Sequence, residues 1–147
     1  MQVEPTRILL VEDDPLNVEL LELTLDSYNF VNQMDVVYDG EEALYYLLGK
    51  EGNPPTHALP HLVLLDLRLP KINGIQVLQA IRAHPRTSNL LVVALSASQE
   101  DKDLNACNAL GVSRYIAKPL DFEQFIGIVS QVGFYWMLLK GPPLPPP

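Results

Sequence analysis

The sequence predicts an α/β fold in which five parallel strands form one sheet with helices on both faces. Short, uninterrupted apolar runs alternate along the chain with segments of helical periodicity. The runs lack the in-out alternation of half-exposed strands, as expected of strands buried on both sides. Asp-Pro, Asp-Gly and Asn-Gly pairs punctuate the joins. Parallel strands need crossovers, and right-handed crossovers place the helices on both faces. The 147 residues suit one domain, long enough to bury roughly two-thirds of its unfolded surface.

Taken in order, Arg7 to Val11 (Arg-Ile-Leu-Leu-Val) is the first strand, β1. Asp14-Pro15 supplies an N-cap and a proline at the first helical position, opening α1, where Leu16, Leu20, Leu23 and Leu25 recur at roughly helical spacing. Met34 to Val37 is β2. Asp39-Gly40 breaks it, and Glu41 to Leu48 is α2, with Ala43, Leu44, Leu47 and Leu48 on one face. Two glycines and three prolines make residues 49 to 60 a long loop, expected at the end of the sheet away from any active site. Leu62 to Leu65 is β3 and ends in Asp66. Asn73-Gly74 then leads into α3 with Ile75, Val77, Leu78 and Ile81. Leu90 to Leu95 is β4, and Ser98 with Asp101 resembles a capping box opening α4, which closes near Leu110-Gly111. Arg114 to Ile116 is β5, and Asp121 caps α5.

Ten basic against eighteen acidic residues give a net charge of −8. That balance opposes sequence-independent nucleic-acid binding, which depends on releasing counterions from phosphates, and it opposes an anionic membrane surface. No apolar run reaches the ~18–20 residues of a spanning helix, and no apolar segment follows a positive start as in a signal peptide. A lone cysteine, Cys107, excludes an internal disulfide and suits a small core position in a reducing compartment. A cytoplasmic protein is expected. His57, His61 and His84 are too scattered to suggest a metal site and read as surface residues.

In sheets of this kind ligands bind at the carboxyl ends of the strands, where strand order reverses. Those ends carry Glu12, Asp13 and Asp14 after β1, Asp66 after β3, Ser96 after β4, and Lys118-Pro119 after β5. The set looks like a phosphoryl-transfer site. Clustered carboxylates attract a hard cation, and Mg²⁺ suits one or two carboxylates plus waters and phosphate oxygens. Asp13 and Asp66 read as direct ligands, Glu12 as acting through a water, and the backbone carbonyl of Arg68 as completing the shell. Helix capping alone would explain Asp14 but not Glu12 or Asp13. A carboxylate such as Asp66 can attack phosphorus if charge on the transferring group is neutralised, which the metal, Lys118 and Ser96 would supply. Singly, Lys118 is a loop lysine and Ser96 a turn serine. On the residues alone, Tyr115 reads as a half-buried strand aromatic.

Over about residues 7 to 132 these residues resemble bacterial two-component response regulators with a single CheY-like receiver domain. The resemblance rests on the acid pair Glu12-Asp13, the acid Asp66, Ser96, Lys118-Pro119, and Tyr115 three before the lysine, with 30 residues from Asp66 to Ser96 and 52 to Lys118. It implies a flavodoxin-like (βα)5 fold with strand order 2-1-3-4-5, and phosphorylation of Asp66 by a sensor histidine kinase. It further implies that Ser96 is drawn to the phosphate and Tyr115 turns inward, changing the α4–β5–α5 surface that partners read. Ala97 is small enough not to obstruct the phosphate, while Arg68 and Ser98 flank the site. The long proline-containing loop, the Asp-Pro-Leu-Asn-Val-Glu-Leu-Leu start of α1, and Phe-Tyr-Trp with a later Leu-Pro resemble regulators paired with cyanobacterial phytochromes. That resemblance implies a bilin-bearing kinase as partner.

Two other readings compete. A phosphatase of the haloacid-dehalogenase type would need a second acid two residues after Asp66, where this chain has Arg68. A receiver-like adaptor would not need Glu12, Asp13, Asp66, Ser96 and Lys118 together. Phe122 to Leu139 is more apolar than one helix face needs: Phe125, Val129, Val132 and Trp136 make one stripe, and Ile128, Tyr135 and Leu139 part of another. A homodimer through α4–β5–α5 and this extension is expected; the alternative is one continuous core helix with some exposed apolar residues. Residues 133 to 147 read as an extension ending in a proline-rich, polyproline-like tail. The length suggests a stand-alone receiver without a DNA-binding domain.

Overall fold

Five residues in a row, Leu62 to Asp66, are buried, which only a central strand covered on both sides can satisfy. The computed structural model describes residues 6–27, 32–50, 52, 54–55, 58–96, 101–112 and 114–117. They form β1 (Thr6–Val11), α1 (Pro15–Ser27), β2 (Asn32–Val37), α2 (Gly40–Leu48), β3 (Leu62–Asp66), α3 (Gly74–Ala83), β4 (Leu91–Ser96), α4 (Asp101–Ala109) and β5 (Arg114–Ala117). The expected α5 and the carboxy-terminal extension lie outside the described residues.

The sheet is parallel throughout, in the order β2-β1-β3-β4-β5. From β1 the chain moves outward to β2, then returns to the other side of β1 as β3, so strand order reverses there. This opens a crevice at the carboxyl ends of β1 and β3. Helices flank the sheet in three layers. Leu9, Val11, Val63 and Leu65 pack with Ala43 and Leu47 of α2 and Val77, Leu78 and Ile81 of α3. Farther along the same face, Ala94 and Leu67 pack on Cys107 of α4. Ile8, Leu10, Leu62 and Leu64 alternate to the opposite face and are equally buried. Each such leucine contributes about 1.5–3 kcal/mol relative to exposure.

One helical face differs from its sequence expectation. In α1 Leu16 and Leu23 are 60% and 56% exposed, whereas Val18 and Leu21 are buried. The helix carries two apolar stripes, and periodicity does not say which turns inward. The turn before it does: Asp14 accepts the Leu16 N–H on its carboxylate at 2.9 Å and the Val18 N–H on its carbonyl at 3.2 Å, setting the helix's rotation.

His61 also differs from a surface histidine. It is half-buried, and its Nδ1 accepts the Arg7 N–H at 2.9 Å while its own N–H donates to the Arg7 carbonyl at 2.8 Å. The Arg7 guanidinium donates to the Leu59 carbonyl. These bonds fasten the end of the long loop to the amino end of β1, opposite the crevice.

Arg82, in the last turn of α3, joins three elements. Its guanidinium donates to the carbonyls of Leu110 (2.6 Å) and Gly111 (3.2 Å) just beyond α4, and of Ser88 (3.1 Å) and Leu90 (2.7 Å) before β4. Arg82→Ala leaves these acceptors without their charged donor and is expected to destabilise the protein by about 2–4 kcal/mol. A lower urea midpoint at unchanged slope would show it; a change below about 0.5 kcal/mol would exclude the clamp.

Candidate functional site

Strand register brings the acidic residues together. Val11 pairs with Leu65, so one step farther Glu12 stands beside Asp66. The Glu12 N–H donates to the Val37 carbonyl at 3.1 Å, extending the ladder past β1 and burying the side chain. Its Oε1 accepts the Asp14 N–H at 3.2 Å, which folds the chain sharply and leaves Asp13 exposed at the crevice. At β3, Asp66 is 2% exposed and its Oδ1 accepts the Arg68 N–H at 2.9 Å, fixing the carboxylate's orientation.

One carboxylate oxygen each from Glu12, Asp13 and Asp66 lie within 4.8 Å of one another. Cis and trans ligands of an octahedral Mg²⁺ stand about 3.0 and about 4.2 Å apart, given metal–oxygen distances of about 2.1 Å. Small movements would therefore fit the three groups to one divalent cation directly or through water. At an effective dielectric of about 20, two charges 4.8 Å apart repel by about 3 kcal/mol, and a cation relieves this. The cluster can chelate a divalent metal.

The β3–α3 loop is held tightly above this site. The Gly74 N–H donates to the Leu67 carbonyl at 3.0 Å, and a Cβ at Gly74 would stand 2.4 Å from both the Asp66 carbonyl oxygen and Leu67 Cα. Only glycine allows that approach. Asn73 and Gln76 form a reciprocal capping box at the start of α3. Lys71 takes a left-handed conformation (φ 68°) and its Nζ lies 3.4 Å from Asp39 and 3.3 Å from Glu41 at the start of α2. The Glu42 N–H, more than this ion pair, holds the Asp39 carboxyl below its usual range.

Ser96 ends β4 fully buried, next to the strand carrying Asp66. Tyr115 lies on β5 opposite Ala94. Lys118, Ala97 and Ser98 lie outside the described residues, as does the side chain of Tyr115. The structure thus gathers Glu12, Asp13, Asp66 and the Arg68 backbone, with Ser96 at the adjoining strand end. Sequence reasoning missed Gly74, whose Asn-Gly was read only as a helix start. It also missed Asp103, an α4 residue lining the cleft over the site with Asp13, Arg68 and Asn73. The Asn73-x-x-Gln76 pattern could have revealed the capping box; no local signal marks Asp103.

A parallel sheet of this order, with a carboxylate triad at its crevice, defines a phosphoacceptor-type receiver. The chain belongs to the family described as "Response regulator receiver domain", whose model matches residues 8–130. Such receivers catalyse only their own phosphorylation and dephosphorylation, and are not separate enzymes.

The chain is 37% identical over 134 residues to "Probable methanogenesis regulatory protein FilR2" of Methanothrix harundinacea (strain 6Ac), covering 91% of this chain and 85% of that protein. It superposes on the "Bacteriophytochrome response regulator RtBRR" with a TM-score of 0.78 at 38% identity, covering 95% of this chain and 84% of the other. Response regulator Rcp1 of Synechocystis sp. is 30% identical, with 90% of each chain covered. The Mn²⁺-bound form of Rcp1 gives a TM-score of 0.72 and covers 97% of this chain and 100% of its own. Among the described residues, no helix is long and apolar enough to cross a membrane.

Proposed function

We propose that Asp66 accepts a phosphoryl group from the phosphohistidine of a sensor histidine kinase, in a Mg²⁺-dependent reaction that switches the α4–β5–α5 surface. The carrying observation is the triad: three carboxylates within 4.8 Å, with Glu12 and Asp66 buried. Asp13 and Asp66 would hold the cation directly, Glu12 through a water, with the Arg68 backbone carbonyl completing the set. The cation would neutralise charge on the transferring phosphoryl oxygens. An Asp66 oxygen attacks phosphorus, the P–N bond breaks, and its electron pair leaves with the imidazole nitrogen. Lys118 pairs with Asp66 before transfer and with a phosphate oxygen afterwards; Ser96 donates a hydrogen bond to the new phosphate, and Tyr115 turns inward.

On this reading residues 7–132 are the receiver and 133–147 an extension that joins α4–β5–α5 in a homodimer, supported by the apolar stripes of the sequence. Relatives named for phytochromes support a bilin-bearing kinase as donor, and a lone, buried cysteine suits a cytoplasmic site of action. Incubation with that kinase, ATP and Mg²⁺ is expected to add one phosphoryl group by intact mass and none with EDTA, while sedimentation of the labelled sample reads the dimer. Metal-independent labelling would overturn the Mg²⁺ requirement, absence of transfer the kinase assignment, and a strict monomer in both states the dimer.

A further inference from the structure

Asp103 is the third residue of α4, half-buried, one helical turn before Cys107. Residues four apart share a helix face, and Cys107 packs inward against Leu67 and Ala94. The inner face of α4 therefore carries Asp103 to the mouth of the cleft, a cavity of about 600 Å³ that Asp13 and Arg68 also line. The carboxylate's field reaches inward as well: after burial itself, Asp103 helps push the Cys107 thiol up from its usual range. Asp13 and Asp103 line this cleft with Arg68 as the cation of its lining, and carboxylate oxygens of Glu12 and Asp66 lie within 4.8 Å of one on Asp13. No salt bridge holds Asp103 there among the described residues.

We infer that Asp103 determines which phosphodonors reach Asp66: its charge on the α4 wall repels small dianionic phosphoryl compounds and favours donors delivered by a docked protein. The inference rests on the reading of Asp66 as phosphoacceptor. A cleft bounded by low-dielectric walls focuses such fields onto an entering ion. A free dianion has only the cations of the site to offset the repulsion. A phosphohistidine carried on a kinase offsets it with the contacts of docking.

The test compares initial phosphorylation rates, by intact mass with Mg²⁺, for acetyl phosphate, a dianion, and phosphoramidate, a net monoanion. Asp103→Asn is expected to speed labelling by acetyl phosphate roughly 3- to 10-fold at low ionic strength and by phosphoramidate less. The difference is expected to vanish in 1 M salt, where the screening length is about 3 Å. Asn105 is exposed, two residues on and so on another side of α4. The double variant D103N/N105D keeps the net charge and moves one carboxylate off the cleft, and it is expected to behave as D103N. Reversion of the double variant to the wild-type rate would assign the effect to overall charge and overturn the inference. Equal acceleration with both donors, no acceleration, or acceleration persisting in 1 M salt would overturn it too. Wild-type protein that labels with neither donor would instead overturn the phosphoacceptor reading.

Discussion

Asp66→Asn is expected to take up no phosphoryl group from any donor and, without metal, to be more stable than the wild type. The first effect follows from the lost nucleophile, since an amide oxygen is far less nucleophilic and the neighbouring carboxylates have other roles. The second follows from like charge. Asp66 lies within 4.8 Å of carboxylate oxygens on Glu12 and Asp13, a repulsion of between about 1 and about 3 kcal/mol for a pair, depending on screening. Asparagine removes the charge while its side-chain oxygen can still accept the Arg68 N–H. The metal-free variant is expected to melt at least about 2 °C higher. Mg²⁺ should raise the melting temperature of the wild type more than that of the variant, because the wild type has three mutually repelling carboxylates to relieve and the variant two. Labelling of the variant would move the acceptor to another carboxylate. An equal Mg²⁺ effect in both proteins would take Asp66 out of the metal set.

Gly74→Ala is expected to cost about 3 kcal/mol and to slow phosphorylation of whatever protein folds. The added Cβ meets the Asp66 carbonyl oxygen and Leu67 Cα, each at 2.4 Å. Both are backbone atoms in or next to a central strand, so neither yields as the tip of a flexible side chain would. Overpacking of this kind usually costs 1–3 kcal/mol, and rigid neighbours place it at the upper end. Relief requires moving α3 away, which breaks the Gly74 to Leu67 hydrogen bond and shifts the Asp66–Arg68 turn. A urea midpoint lowered together with a slower labelling rate at saturating Mg²⁺ is the expected pair of results. A destabilised variant that labels at the wild-type rate would show that the loop does not position Asp66.

The strands and most helices were legible because the central strands are apolar along most of their length and turn residues stand before the helices. Leu62 to Leu65 could be little else than a buried strand, and Asp66 at its end stood out for that reason. Cys107 was legible as a core residue for the same reason of composition, and it is buried. His61 was not, because the Arg7 N–H that its ring accepts lies 54 residues away in the chain. Lys71 was not, since neither its left-handed backbone nor its approach to Asp39 and Glu41 leaves a trace in local composition.

The sequence by itself determined that this chain forms a parallel α/β sheet and that its acids and Ser96 fall at strand ends, because local periodicity and turn chemistry are written in neighbouring residues. Tertiary structure decided the rest. Register alone set Glu12 beside Asp66, and the packing of Cys107 on Leu67 and Ala94 carried Asp103 to the cleft. Those outcomes depend on contacts between segments tens of residues apart, and no window of sequence contains both partners.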